Sequence, residues 1–395
     1  MFSIIFGIIF FPLILSSVTL FFLTATLNIR LSLRQKVLNT PVQYPKSVIL
    51  VPYYNENPST MVRALQSIEA QDYPNPLYVM LLNDGSTNTT LQEISIWIQE
   101  HGRRHHYELI NLDKNSGAKG KAMDQVLHLV PEDAEVLAIV DSDTRLEPDA
   151  MRLSVKQLMS DERYAAVSGC VIASGKSNSL LSYIQYYEHI GSFAAIRFAQ
   201  SWLGLVDVLS GAFSIHRMAA IRELGGWSNW LVEDISWTWK AIASDYRIGY
   251  CPEAIAYTEV PQSVRGLFQQ RRRWARGRLE ALKAAWAISK PRTLLLLPWL
   301  LLWIQGAIMP SLLAVVLALF FQQWWVFAIV GLIGVMQLWI NVLLHYKHLD
   351  SKAVNIRDVI LQAVYFPVFE IAIMPASIFG FMDELFNVKK HWLTR

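Results

Sequence analysis

Glu135-Val-Leu-Ala-Ile-Val-Asp-Ser-Asp143 reads as a buried apolar strand that runs out into two carboxylates. Carboxylates at i and i+2 on the end of such a strand can hold a divalent cation through oxygen ligands, leaving positions open for phosphate. The same pattern also occurs in solvated turns, so its weight depends on what surrounds it. Working outward, short β-rich runs at 47–52, 77–82, 107–112, 136–140 and 165–172 alternate with amphipathic stretches such as 58–70 and 90–101. That alternation predicts an α/β fold with a mostly parallel sheet. Polar clusters follow the first, second and fourth runs: Tyr53-Tyr54-Asn55-Glu56, Asn83-Asp84-Gly85-Ser86 and Asp141-Ser142-Asp143. Ligands of open parallel sheets bind beyond the carboxyl ends of the strands, so one crevice is expected to collect all three.

The chain has 395 residues, 53% of them hydrophobic, which exceeds what one soluble core requires and leaves material for membrane segments. A net charge of +3 gives no electrostatic footprint for nucleic acid. Two cysteines, Cys170 and Cys251, make neither a disulfide framework nor a zinc pattern. His105-His106 reads as a solvated loop. Residues 2–29 are almost unbroken apolar sequence with Arg30, Arg34 and Lys36 behind them, which predicts an uncleaved anchor over 1–29 with the following residues in the cytoplasm. A soluble domain is expected over 46–290 and a transmembrane region over 291–395, with apolar segments at 294–321, 324–344 and 359–382. Trp299, Trp303, Trp324 and Trp325 resemble interfacial belts. Basic residues flank the third segment on both sides, so charge does not orient it. Gln305, Gln337, Asn341 and Glu370 are polar positions within these segments that suit a path for a polar product or helix packing.

Two further stretches carry chemistry. Arg265-Gly-Leu-Phe-Gln-Gln-Arg-Arg-Arg-Trp-Ala-Arg-Gly277 holds five arginines, either as a basic collar at a membrane surface or as donors that clamp a diphosphate beside a stacking tryptophan. A helix predicted from residue 274 to 290 is amphipathic, with Ala281, Ala285 and Ile288 on the side of Trp274. Arg276, Lys283 and Lys290 point away, and Arg278 interrupts the apolar side. Glu233-Asp234 lies among Trp227, Trp230, Trp237 and Trp239, rings that suit either sugar faces or a core. A carboxylate in so apolar a setting becomes a stronger base, although Asp234 could also cap a helix beginning near Ile235.

In order, Asn83-Asp84-Gly85-Ser86, Asp141-Ser142-Asp143, Ser210-Gly211-Ala212, Val232-Glu233-Asp234 and Gln270-x-x-Arg273-Trp274 resemble the motifs of membrane-bound family 2 glycosyltransferases. The finer likeness, in residues 233–240 and 267–277, is to bacterial poly-β-1,6-N-acetylglucosamine synthases. The resemblance implies a GT-A fold, Rossmann-like, between transmembrane helices at both ends. It implies that Tyr54, Glu56 and Asp84 hold a uridine, that Asp141 and Asp143 hold Mg2+ or Mn2+ with the diphosphate, and that Asp234, beside Glu233, is the catalytic base. Gln270, Arg273 and Trp274 would close over diphosphate and acceptor, and Lys121 would approach the nucleotide, with Lys119 as its rival. Arg273 alone stands at the motif register, so Arg271 is expected to matter less. Val232 replaces the threonine usual before Glu-Asp, which leaves the product open. The implied activity is inverting transfer from a UDP-sugar, UDP-GlcNAc first, onto a β-linked polysaccharide at the cytoplasmic face of the plasma membrane. A glycolipid synthase that adds one sugar to a lipid acceptor is the alternative, and a transporter with a regulatory soluble domain is a third class. A path for polymer needs more helices than this chain supplies, so a small membrane subunit or a homo-oligomer is expected as partner.

Overall fold

The computed structural model describes residues 43–175, 179–227, 230–307 and 356–389, with isolated positions elsewhere. Strands β1 (Ser47–Tyr53), β2 (Tyr78–Asn83), β3 (His106–Asn111) and β4 (Val136–Val140) form the parallel half of one eight-stranded sheet. The second half adds β5 (Arg145–Leu146), β6 (Tyr164–Ala173), β7 (Phe213–Arg217) and β8 (Arg247–Thr258), and the sheet order is β3-β2-β1-β4-β7-β6-β8-β5. This half is mixed, because β7 runs antiparallel to both β4 and β6 while β6 and β8 are parallel. All five strands expected from the sequence are present within a residue of their expected ends. The sequence reading contained no counterpart of β7 or β8.

β1 and β4 are buried along their whole length, and alternate residues feed two cores. Val48, Leu50, Leu137 and Ile139 enter one, which also holds Trp227, Trp237 and Trp239. Ile49, Val51, Val136 and Ala138 enter the other. Strands covered on both faces read as continuous apolar runs, which is why these were legible. Helix α1 (Pro58–Glu69) illustrates how the crossovers seat themselves. Asn57 accepts a hydrogen bond from Ser59 N, Pro58 opens the first turn, and Met61, Ala64, Leu65 and Ile68 form its buried stripe. Helices α2 (Thr90–His101), α3 (Lys119–Val126) and α4 (Ala150–Met159) follow. From β1 the chain first builds outward through β2 and β3, then returns to place β4 on the other side of β1. The crevice beyond β1 and β4 is therefore the switch point where such sheets bind ligands.

Later helices are α5 (Leu180–Glu188), α6 (Ala194–Ser201), α7 (Met218–Leu224), α8 (Glu233–Ala243) and α9 (Val264–Ile288). Then come α10 (Lys290–Leu294), α11 (Leu297–Ala307) and α12 (Ile356–Leu385). A π-helical turn, His189–Phe193, joins α5 to α6. Helix α9 begins ten residues before the expected start at 274, because Ser263 caps it by accepting from Gly266 N. Among the described residues, no helix is long and apolar enough to cross a membrane. The expected anchor and the segment 324–344 lie outside the described residues except for isolated positions, as does much of 294–321. Gln337 and Asn341 and the side chains of Gln305 and Glu370 also lie outside them. His105 is not solvated: it is buried, and its Nδ1 accepts from Leu77 N at 3.2 Å.

The loop after β2 depends on Gly85, whose φ is +71° and whose place leaves no room for a Cβ, which would lie 2.6 Å from Asn115 N. Gly117 has φ +76° but open space around it. Gly85→Ala should therefore lower the thermal unfolding midpoint by several degrees, beyond the roughly 1 kcal/mol that a left-handed backbone costs, and Gly117→Ala should lower it less. Differential scanning fluorimetry of the two variants checks this.

Candidate active site

The three polar clusters meet beyond the carboxyl ends of β1, β2 and β4. Asn55, itself at φ +49°, ties the first to the second: its N donates to Ser86 Oγ at 2.8 Å and its Oδ1 accepts from Thr87 N at 2.8 Å. Glu56 ties the first to the third, with Oε2 accepting from Ser142 Oγ at 2.7 Å. Glu56 is buried, whereas Tyr54 is exposed at the rim. Asp84 is buried and holds the loop before α3, accepting from Ser116 N at 2.8 Å, Ser116 Oγ at 2.7 Å and Asn115 Nδ2 at 3.1 Å. Burial raises its pKa, against the lowering effect of the Ser116 bonds. Asp84 thus shapes the loop that carries the next functional residue.

That residue is Lys119, the first of α3. Its Nζ lies 2.5 Å from Asp141 Oδ1, 2.9 Å from Gly211 O and 3.7 Å from Glu233 Oε1. Burial pulls its pKa down, but Asp141 and then Glu233 outweigh it and the net shift is upward. Lys121, which was expected to approach the nucleotide, is exposed two residues further along the helix, and Lys119 is the lysine that reaches the acidic centre. The turn at Gly117 adds residues before the helix, so counting along the sequence did not fix which lysine faces inward.

Glu233 and Asp234 open α8. Neither caps it in the expected manner, since the N-cap position is Val232. Asp234 Oδ2 accepts from Gly211 N at 2.9 Å and Oδ1 from Ile235 N at 2.7 Å, which fixes the carboxylate plane. A Cβ on Gly211 would stand 2.9 Å from Asp234 Oδ2, so the glycine of Ser210-Gly211-Ala212 is what allows this approach. Burial raises the pKa of both carboxyls, and Lys119 opposes the rise in each. Three of the four surrounding tryptophans are core rather than platforms. Trp227, Trp237 and Trp239 are fully buried, with the indole N–H groups of the last two donating to Gly225 O and Asp207 O.

Helix α9 lies on this centre through Gly277, where a Cβ would come within 2.4 Å of Val232 Cβ. The charge of Arg273 acts on both Glu233 and Asp234, and Gln270 and Trp274 are one turn apart on the same helix. The expected basic collar is not what the arginines form. Arg271 is buried, paired with Glu188 at 2.5 Å, and its guanidinium carbon sits 4.3 Å from the Trp274 ring centre and 5.3 Å from that of Phe193. Arg276, expected to point away, is buried against Glu384. Arg278, expected to break an apolar face, pairs with Asp207 at 3.0 Å and lies over Trp303.

Among the described residues, no group of three or more histidine, cysteine or carboxylate side chains is placed to hold a metal ion alone. A cation held by Asp141 and Asp143 would take its other ligands from phosphate oxygens and water, the usual habit of Mg2+. Asp143 Oδ1 accepts from Thr258 Oγ1 at 3.2 Å, so the end of β8 orients this carboxylate. Thr258 was missed by sequence reasoning because its role depends on strand pairing, and Gly211 was named only as part of a motif, with no role given to it. Removing Arg271 leaves Glu188 buried and alone, so Arg271→Ala should cost about 3–5 kcal/mol of stability. Chemical denaturation should show Arg271→Ala with Glu188→Gln to be less damaging than Arg271→Ala alone.

Residues 136–342 match the family model described as Glycosyl transferase family group 2. The chain is 30% identical over 247 residues to a poly-beta-1,6-N-acetyl-D-glucosamine synthase of Staphylococcus epidermidis, covering 62% of this chain and 58% of the relative. It is 30% identical over 258 residues to a synthase of the same name from Staphylococcus aureus, covering 65% and 60%. The matched region thus spans less than two thirds of these relatives. A solved mannosyltransferase of Pyrobaculum calidifontis, in complex with GDP-Man and Mn2+, superposes with a TM-score of 0.60 at 18% identity, covering 96% of this chain and 99% of that one. The last likeness establishes the shared GT-A-like α/β fold. With the family model spanning more than half of its length, the chain belongs to glycosyl transferase family group 2.

Proposed function

We propose that this glycosyltransferase inverts the anomeric carbon of a UDP-sugar, UDP-GlcNAc in the first instance, and extends a β-linked polysaccharide. The observation that carries the reading is the convergence of Asp141, Lys119 and the buried Glu233-Asp234 pair beneath the arginine-bearing helix α9. The synthase names of the relatives support the sugar and the polymer. Residues 1–29 and 291–395 would hold the catalytic domain, 46–290, at the cytoplasmic face of the plasma membrane. The partner would be a small membrane subunit or a second copy of the chain, and membrane lipid would surround both.

The chemistry follows from the side chains. Each Asp234 oxygen accepts one backbone N–H, which leaves lone-pair capacity for an acceptor hydroxyl. Its raised pKa makes it a stronger base than an exposed carboxylate. The hydroxyl proton passes to Asp234 as the oxygen forms a bond to the anomeric carbon. The bond to the diphosphate breaks on the opposite face, and UDP leaves with the electron pair. Arg273 and Lys119 meet the charge that develops on the diphosphate. A divalent ion on Asp141 and Asp143, Mg2+ or Mn2+, would supply further electrostatic stabilisation of the same leaving group. Tyr54, Glu56 and Asp84 would bound the uridine, and Gln270 and Trp274 the acceptor end.

The membrane-embedded protein given labelled UDP-sugars singly should yield high-mass polymer from UDP-GlcNAc. One labelled glycolipid band would favour the lipid-acceptor reading, and no product from any donor would reject the enzyme assignment. Asp234→Asn should lower kcat by about two to four decades with UDP affinity intact. Because burial raises the carboxyl pKa values of Glu233 and Asp234, the acid limb of the kcat profile should lie above the ordinary carboxylate range. Lys119→Met should lower kcat by about 100-fold or more, whereas Lys121→Met, at an exposed position, should change it by less than about threefold. Turnover should vanish in excess EDTA and return with Mn2+ or Mg2+.

A further inference from the structure

We propose that the acidic pair Asp383-Glu384, at the end of α12, is a positioning device that sets the rotation of α9 and so aims Arg273 and Trp274. This rests on the reading of Arg273 as the group that meets the diphosphate. Four observations place the device. Arg272 makes a two-pronged contact with Asp383, Nε to Oδ2 at 2.6 Å and a terminal nitrogen to Oδ1 at 2.8 Å. Glu384 receives Arg276 Nε at 3.1 Å, with both side chains buried, and Lys283 Nζ at 2.8 Å. Arg276 also donates to Val388 O, just past the end of α12. At Gly380 the helices touch with no side chain between them, because a Cβ there would stand 2.2 Å from Arg272 O.

The geometry distinguishes orientation from adhesion. Arg272, Arg276 and Lys283 recur at the spacing of one helical stripe, so their partners hold one face of α9 and no other. Residues next to each other on a helix point about 100° apart, hence fixing Arg272 fixes where Arg273 and Trp274 project. A two-pronged arginine–carboxylate contact restricts angle as well as distance. Buried ion pairs contribute little net stability relative to apolar packing, and their best-attested use is to specify register. Adhesion is already provided by apolar contact: Leu267 shares a buried cluster with Phe369 and Ile373, and Phe268 meets Phe379 at a ring separation of 6.2 Å. On this inference α12 carries information, because any shift of its end is transmitted to the catalytic turn through a rigid stripe of charge.

The test uses the full-length protein in membranes with UDP-GlcNAc, or with whichever UDP-sugar the donor screen identifies. Asp383→Asn with Glu384→Gln should lower kcat about 10- to 100-fold, as expected of an ångström-scale misplacement, with donor KM within about threefold of the parent. Exchanging the charges, Arg272→Asp with Asp383→Arg, should recover most of the kcat lost by Asp383→Arg alone. In an Arg273→Ala background the Asp383→Asn change should cost clearly less activity than in the parent, since its route through Arg273 is gone and only that through Trp274 is left. Parental kcat in the doubly neutralised variant would overturn the proposal. So would equal losses from Asp383→Asn with and without Arg273, which would mark a merely structural role. If Arg273→Ala itself keeps parental turnover, it is the reading of Arg273 that fails, and the two failures are thereby distinct.

Discussion

A single ammonium, that of Lys119, is the constraint on which the catalytic centre depends. Asp141, Glu233 and Asp234 come from β4 and α8, elements far apart in the chain, and the field of Lys119 is felt by all three. Without a cation among them, burying this much negative charge would drive the carboxyls to protonate or the loops to separate. The position of Lys119 in turn rests on the loop at Asn115 and Ser116, which Asp84 holds from β2. Charge balance in the crevice is therefore a property of the sheet topology, which brings the ends of β1, β2 and β4 to one place.

Helix α9 extends the same logic outward. Four of its arginines meet acidic partners on three other parts of the chain: Glu188 on α5, Asp383 and Glu384 on α12, Asp207 in the stretch before β7. A helix with so many charges that nevertheless lies partly buried needs this matching, and Val232 and Gly277 show that backbone proximity was arranged along with charge. The valine at the position where threonine is usual is a packing residue for α9, which gives the departure a structural meaning.

β1, β2, β4 and β6 were legible because strands covered on both faces announce themselves as short apolar runs, and half-buried β3 was legible from its alternation with helices. β7 and β8 were not, since Ser214, His216 and the Cys251-Pro252-Glu253 interruption break that signal. At the site, Asp141, Asp143, Glu233 and Asp234 could be named from spacing and resemblance, while Lys119 could not be chosen over Lys121 until the start of α3 was known. The arginine run was the most misleading stretch. Its partners lie 83, 108 and 111 residues away in sequence, so a local reading of periodicity found charge where the fold has internal pairing.

One contact bears on how a flat ligand would move. A guanidinium lies on the Trp274 ring, Phe193 meets it edge-on at a centroid separation of 5.8 Å, and the ring packs against the main core, so the indole is held in one orientation. A flat ligand stacked on a ring that turns freely can depart in any direction and return reversed. Against a ring that is held still it keeps its heading, and the easy motion is translation parallel to the indole plane. If the acceptor is a growing polysaccharide, as proposed, such a surface would act as a rail that gives the strand a direction of travel.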